Sequence, residues 1–507
     1  MDGRVILAVD EGTTGTRAAL VSEAGEVSGL AYRRLGVDSP HPGVVEQDAD
    51  EIWERTLDVC RAAVAAGGGA APAAVAVTTQ RATSVLWDTR TGRSLVPAMV
   101  WQDTRYAGEL ADYAGVWDAR LVAQTGRPVG VRSPYLWAAR HIEGTPEVRE
   151  AYRTGALRFG TIDTWLLWNL TGGAVYAVTP TNVCSSGAYT LAEHAYQRDW
   201  IDALGFPGEL LPELREDGDE LGTVLPGLLG NGVDGVPVLA VLGDQHAATI
   251  GLGCLDAGQA MCVHGTGSFV DVVAGTEVPP NTGEVAGALT LIGWRTGGRS
   301  VYTVESFSST TGSALDWMCN TFAGFSSARD VSELAASVPD AGGTVFLPTL
   351  AGLRTPVTEP RLGAGLSGMT MSTTRAHVAH AVLEGIAHAV ADSAAGVSRV
   401  VAAPITSMQV GGGLSASAPL MRMQADLIGV PMARVRDADT ASLRGAAYLA
   451  GSRGLFWETL AEAASTRGSE DVFEPAISSD ERSERRAAWN RRIRAELELL
   501  DRSQIGR

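Results

Sequence analysis

"VDEGTTGTR", residues 9–17, follows the apolar run Val5-Ile6-Leu7-Ala8 and sets two acids, two glycines and three threonines ahead of an arginine. Such a turn is either a solvated hairpin or a loop that holds phosphate. Glycines let backbone N–H groups approach phosphate oxygens, and threonine hydroxyls add short donors. Alone, the stretch reads as the ordinary hairpin. Residues 257–275, "AGQAMCVHGTGSFVDVVAG", repeat the design: an apolar strand, the turn Gly265-Thr266-Gly267-Ser268, and a β-branched second strand. The echo predicts two related domains, residues 1–252 and 253–507, each presenting a Gly/Thr hairpin.

The rest of the chain supports mixed sheets covered by helices. A chain of 507 residues with 45% hydrophobic content is too long for a single core. "DADEIWERTLDVCRAAVAAG" has an Asp cap and helical spacing of Ile52, Trp53, Leu57 and Val64, and "AAVAVTTQ" reads as a buried strand. Residues 235–253 read as strand, turn and helix. Further on, "TTRAHVAHAVLEGIAHAVADSAAGV" and "APLMRMQADLIG" read as helices, the latter after the glycines 411–413. The tail "SSDERSERRAAWNRRIRAELELLDRS" reads as a solvated terminal helix.

Composition removes several function classes. The net charge of −18 and the lack of a dense basic run argue against nucleic acid as a partner. No stretch of eighteen apolar residues and no signal-like start is present, so no membrane role is expected and the protein is read as cytoplasmic. Five widely spaced cysteines read as reduced, mostly buried thiols. All 40 basic residues are arginine. Without lysine there is no Walker A loop, no pyridoxal enzyme and no Schiff-base aldolase. Nucleotide phosphates, if handled, must meet backbone amides, hydroxyls, a metal and arginine.

Taken together, "DEGTTGTR", "PGVVEQDADEIW", "TTQRATSVLWDTRTG", "MVWQDTR", "FGTIDTWLLWNLTGG", "GDQHAA", "HGTGSF", "RTPVTEP", "AGLSGMTMSTTRAHVAHAVLEG", "VGGGLSASAPLM" and "RGAAYLAG" occur in the order found in the FGGY carbohydrate kinases. The chain resembles that family over roughly residues 5–455, and within it the glycerol kinases. The resemblance implies an α/β, two-domain actin/hexokinase/Hsp70-like ATPase fold of duplicated ribonuclease H-like domains. It also implies ATP and Mg²⁺ as cofactors and a small polyol or sugar as substrate.

Site roles follow from the resemblance, each beside a plainer reading. Asp10 is expected to hold the magnesium of Mg·ATP, with Asp244 in reach of it; a turn-forming Asp is the plain alternative. Arg17 is expected near the transferring phosphoryl group. Thr13 and Thr14 would meet phosphates from the first domain, and Gly265, Thr266 and Gly267 from the second. Asp244 is expected to be the general base, and a helix N-cap otherwise. Gln245 would bond a neighbouring substrate hydroxyl, whereas His246 reads as packing. Gly413 and Ser417 resemble the adenosine motif, with Gly312 and Asp316 also on the nucleotide side.

Substrate contacts are expected from Arg81, Trp101 and Phe269, the two aromatics serving as core packing otherwise. Tyr135 or Arg132 would take the place of a family tyrosine. Asp103 offers another acceptor. Glycerol kinases carry Arg-Glu where this chain has Arg81-Ala82. The missing carboxylate leaves glycerol, a tetritol such as erythritol, or a ketose such as xylulose open as acceptor. A nucleotide-dependent binding protein of the same superfamily is the non-kinase alternative. Whether the chain forms a homo-oligomer is left open.

Overall fold

The computed structural model describes residues 4–67, 71–230, 233–280, 283, 285, 287–401 and 403–505. Strand β1 (Val5–Glu11) is buried along its whole length, which places it in the middle of a sheet. It pairs antiparallel with β2 (Gly15–Ser22) and parallel with β4 (Pro72–Thr79). β3 (Val27–Arg34) and β5 (Val238–Gly243) complete the order β5-β4-β1-β2-β3. Helix α1 (Ala49–Ala66) makes the crossover to β4; Asp48 caps it, accepting from the Asp50 and Glu51 amides.

The second sheet repeats this plan. Its strands are β6 (Gln259–His264), β7 (Ser268–Gly275), β8 (Leu289–Thr296), β9 (Arg299–Ser308), β10 (Ser407–Gly412), β11 (Met432–Val435) and β12 (Ser469–Phe473). The order is β8-β9-β7-β6-β10-β11-β12. Without the flanking β8 and β12, the series β9-β7-β6-β10-β11 corresponds to β3-β2-β1-β4-β5. It has the same antiparallel hairpin followed by parallel pairs. The duplication expected from two short loops thus extends to whole sheets.

Each half continues from its last parallel strand into a helix, α2 (Asp244–Gly251) after β5 and α6 (Ala441–Gly451) after β11. These two helices touch backbone to backbone. A Cβ on Gly251 would overlap the Ala441 carbonyl, and one on Gly445 would overlap the Ala247 carbonyl. Ile6, Ala8, Ala76 and Leu242 of the first sheet share one core with Leu443, Ala446 and Ala447 of α6. The two halves therefore have separate sheets but a common central layer.

The terminal helix α7 (Ser479–Ile505) departs from the expectation of a solvated rod. Trp489 and Ile493, one turn apart, are buried, and the Trp489 indole donates to Asp392 of α4 (Arg375–Ser398) at 2.8 Å. Its ring stacks on His388 with centroids 4.6 Å apart. Two apolar residues at helical spacing, together with Arg486 paired to Asp392 and Arg482 bonded to the Asp426 carbonyl, dock an otherwise charged helix.

Candidate active site

The first hairpin owes its geometry to strand register. Asp10 lies directly opposite Arg17 across β1 and β2. Arg17 donates from Nε to Asp10 Oδ2 at 2.8 Å, and its Nη2 lies 2.7 Å from the same oxygen. Ser442, second residue of α6, donates to that oxygen as well at 2.6 Å, tying the second half to the first hairpin. Next to Asp10, Glu11 is fully buried and accepts from Gln80 Nε2 at 3.2 Å, while its Oε2 has no partner. Burial pushes the Glu11 carboxyl well above its ordinary range, and the charges of Asp10 and Asp244 add to the shift.

This donor set suits magnesium. Carboxylate oxygens are hard donors, and Glu11 Oε2 is an orphaned one facing two further acids. No group of three or more acid, His or Cys side chains forms a metal cage among the described residues. Magnesium in phosphoryl-transfer sites needs only one or two carboxylates, with phosphate oxygens and water completing the octahedron.

Thr13 and Thr14 divide their work. The Thr13 hydroxyl donates to Gln80 Oε1 at 3.2 Å and accepts from Trp101 Nε1 at 2.8 Å, so it is part of the wall. Thr14 is exposed at the tip, its carbonyl held by the Leu35 amide at 3.1 Å and the Tyr32 hydroxyl at 3.2 Å.

The second hairpin is neutral and tightly packed. The Gly265 amide donates to the Gly267 carbonyl at 2.8 Å, and the exposed Thr266 receives the Thr311 and Ser313 amides on its carbonyl at 3.1 and 3.0 Å. Gly312 opens helix α3 (Gly312–Asn320) against this turn, where a Cβ would overlap the Gly265 carbonyl. Gly412, at φ +84°, passes so close to His264 that a Cβ would overlap its carbonyl, whereas Gly413 faces open space. His264 Nδ1 bonds Ser268 Oγ at 2.7 Å, and burial pushes its pKa down to about 4, so the ring is neutral. Asp316 is exposed on α3. Ser417 caps α5 (Ala418–Ile428) and bonds Ser332 at 2.8 Å, which commits its hydroxyl to the protein.

Between the hairpins stands Asp244, the first residue of α2. Gly243 takes the cap position, so the carboxylate is not consumed there. Asp244 Oδ1 accepts from the Gln245 amide at 2.8 Å and lies 3.5 Å from Arg81 Nε. Burial raises the Asp244 pKa to about 6, with Arg81 opposing the shift and Asp10 adding to it. Arg81 reaches across the cleft to Glu305 of β9, Nη2 to Oε2 at 2.7 Å. The following residue, Ala82, is buried at φ +63°, a left-handed backbone that a non-glycine residue adopts only under constraint. Gln245 Oε1 is buried without a protein partner. His246 is buried with both ring nitrogens unpartnered, and burial keeps it neutral, as a packing histidine.

The aromatic expectations divide. Trp101 lines the cleft through its bond to Thr13, and Phe269 stacks on Phe307 with centroids 5.2 Å apart. Tyr135 requires correction: its hydroxyl bonds Ser186 at 2.9 Å and its ring packs against Phe159 and Phe206. Ser133 caps the helix Pro134–Gly144, and this start turns Tyr135 into the apolar core. Arg132, just before the cap, points the other way and bonds the Trp101 carbonyl. Asp103 is also corrected, because its carboxylate is occupied by Arg105 and the Val45 amide.

Sequence reading passed over Glu11, Gln80, Arg127, Glu305 and Ser442. For Glu305 a signal existed: it and Asp271 are acids next to β-branched residues in two strands, directly opposite each other in β9 and β7. Buried acids at such positions require partners.

Comparison with known proteins identifies the family and the fold. The N-terminal domain of the FGGY family of carbohydrate kinases matches residues 5–251, and its C-terminal domain matches residues 260–453. A glycerol kinase of Dechloromonas aromatica is 37% identical over 507 residues, covering 97% of each chain. One from Thermus brockianus is 37% identical over 460 residues, covering 88% of this chain and 90% of its own. The crystal structure of Plasmodium falciparum glycerol kinase with ADP superposes with a TM-score of 0.91 at 25% identity over 98% of both chains. A xylulose kinase from Lactobacillus acidophilus shares the fold, with a TM-score of 0.83 at 17% identity over 98% of both chains.

Proposed function

The chain belongs to the FGGY family of carbohydrate kinases, and from that premise we propose that it transfers the γ-phosphoryl group of ATP to a primary hydroxyl of glycerol or a closely related small polyol. The observation that carries this reading is Asp244. It is a raised-pKa carboxylate held beside Arg81, with a phosphate-type hairpin from each domain on either side.

In this reading Asp244 accepts the acceptor hydroxyl's proton as the oxygen attacks the γ-phosphorus. A pKa near 6 leaves it ionised at neutral pH yet basic enough to take that proton. Arg81 orients the polyol and holds the Asp244 carboxylate in place, and Gln245 Oε1 accepts from a second hydroxyl. Thr14 and Thr266, exposed at the two tips, grip the phosphates together with the backbone amides of Thr266 and Gly267. Arg17, fixed by Asp10, supplies positive charge as negative charge spreads over the transferring group. Asp10, with Asp244 and Glu11 in reach, would hold magnesium, which neutralises charge on the β- and γ-phosphates. Gly413 leaves room for the nucleoside, beside Gly312 and Asp316.

The proposed units are residues 1–252 and 253–507, acting by closure of the cleft between them. A cytoplasmic setting, where ATP is supplied, is part of the proposal. No described helix is long and apolar enough to cross a membrane.

The test is Asp244→Asn. It is expected to lower kcat by about a hundred- to ten-thousandfold while ADP affinity stays within a few-fold. Retention of full activity by that variant would sink the assignment. Absence of turnover on glycerol, erythritol, xylulose and ribulose alike would sink the neutral-polyol reading.

A further inference from the structure

The acceptor side of the cleft holds two arginines, Arg127 and Arg132, that no acidic side chain pairs among the described residues. Arg81 is matched by Glu305 at 2.7 Å and by Asp244 at 3.5 Å. Arg127 and Arg132 converge on the same place. Arg127 Nη1 donates to the Ser185 carbonyl at 2.5 Å, and Arg81 Nη1 reaches the hydroxyl of that same serine at 3.4 Å. Arg132 bonds the carbonyl of Trp101, the residue that walls the acceptor site, and its Nε is buried without a partner. Neither Arg127 nor Arg132 forms an ion pair among the described residues; the nearby Asp103 is committed to Arg105. Burial, with Arg127 and Arg81 adding to it, pushes Arg132 down to about 9, and Arg81 adds to the downward push of burial on Arg127.

Leaving two half-buried guanidinium groups without an anion is costly, and hydroxyl groups repay it poorly. Two departures from the glycerol kinase pattern act in the same direction. Ala82 stands where the glycerol kinase pattern has a carboxylate next to Arg81, and Arg132 adds a cation beside Trp101 while the Tyr135 hydroxyl is committed to Ser186. The planar fork of arginine matches a carboxylate through two parallel bonds. The triphosphate does not account for these groups, because it is assigned to the hairpin tips and Arg17, while Arg127 and Arg132 lie with Ser185 and Trp101.

Building on the kinase reading above, we propose that the preferred acceptor is a short polyhydroxy carboxylate, its carboxylate held by Arg127 and Arg132 and its terminal hydroxyl presented to Asp244. In the reaction, the terminal oxygen bonds to the γ-phosphorus, the bond from that phosphorus to the β–γ bridging oxygen breaks, and ADP leaves. The hydroxyl proton passes to Asp244, and the carboxylate is unchanged.

The test uses the purified full chain with Mg·ATP and two readouts. One is initial ADP formation with glycerol, erythritol and xylulose against glycerate, threonate and glycerol 3-phosphate. The other is the thermal shift produced by each compound without nucleotide. The expected result is a kcat/KM for one of the two carboxylates at least tenfold above every neutral compound. Arg132→Gln and Arg127→Gln should each lower the acid-to-neutral ratio by roughly ten- to hundredfold, mainly through KM, with Arg132→Lys recovering part of it. The melting temperature of each unliganded variant separates this outcome from misfolding.

Turnover of neutral polyols with neither turnover nor thermal shift from any acid would overturn the inference and leave the kinase reading intact. Preference for glycerol 3-phosphate would assign the arginines to a phosphate and overturn the carboxylate. Carboxylate binding that Arg132→Gln abolishes, with no turnover of any compound, would keep the anion site and sink the kinase reading.

Discussion

The two hairpins share backbone plan and strand order, yet they are built from opposite materials. The first carries Asp10, Glu11 and Arg17 and is fixed by charge, with Ser442 of the other half bonded to its acid. The second carries no charged side chain at its turn, residues 264–268, and is fixed by steric contact: Gly312 against Gly265, Gly412 against His264, and a neutral histidine bonded to Ser268. Under the proposed function the similar loops would divide two tasks, one handling the charge of the reacting phosphate and its metal, the other giving the nucleotide a close backbone surface.

Substitutions can break this division. The largest effect is expected from Asp10→Asn, which keeps the shape of the first hairpin but removes the anion that fixes Arg17. It should cut kcat by about a hundred- to a thousandfold, measured as steady-state ADP release, and lower stability by about 1–3 kcal/mol because Arg17 loses its buried partner. Gly312→Ala attacks the second hairpin sterically, and here stability should fall by about 1–3 kcal/mol in denaturant titrations, with a raised KM for ATP. If Gly312→Ala lowered kcat and left stability untouched, the division by material would be wrong.

The pH profile sharpens the comparison on a smaller scale. A general base must be ionised, so kcat/KM should fall as pH drops through about 6, the Asp244 value, approaching tenfold per pH unit below it. His264, held near 4, should add no limb in that range, and His264→Gln should leave the midpoint where it is. The smallest effect is expected from Ser442→Ala. It removes one neutral donor from a buried carboxylate and should cost about 0.5–1.5 kcal/mol by chemical denaturation.

Much of this was legible in the sequence because it is local. The hairpins, the Asp48-capped helix and the long α4 follow from spacing and turn chemistry within a few residues, and the repeated Gly/Thr turn announced the duplication. What escaped depends on distance along the chain. Glu305 meets Arg81 from 224 positions away, and Ser442 meets Asp10 from 432. Tyr135 failed for a different reason. Two residues, one of them the helix cap Ser133, separate it from Arg132, and which of the two faces the cleft depends on where that helix begins.

The crossing of α2 and α6 has a mechanical consequence. Where two helices meet with no side chain between them, their backbones cannot slide past each other, but they can rock about the contact like the halves of a pair of scissors about a rivet. Asp244 sits on one blade, three residues before Ala247, and Ser442 on the other, three residues before Gly445. The rivet is thus less than a helical turn from both, so Asp244 and the serine that grips Asp10 swing on short arms while the hairpin tips sweep wider arcs. In the proposed closure, opening the jaws to exchange nucleotide would therefore disturb the innermost chemistry least.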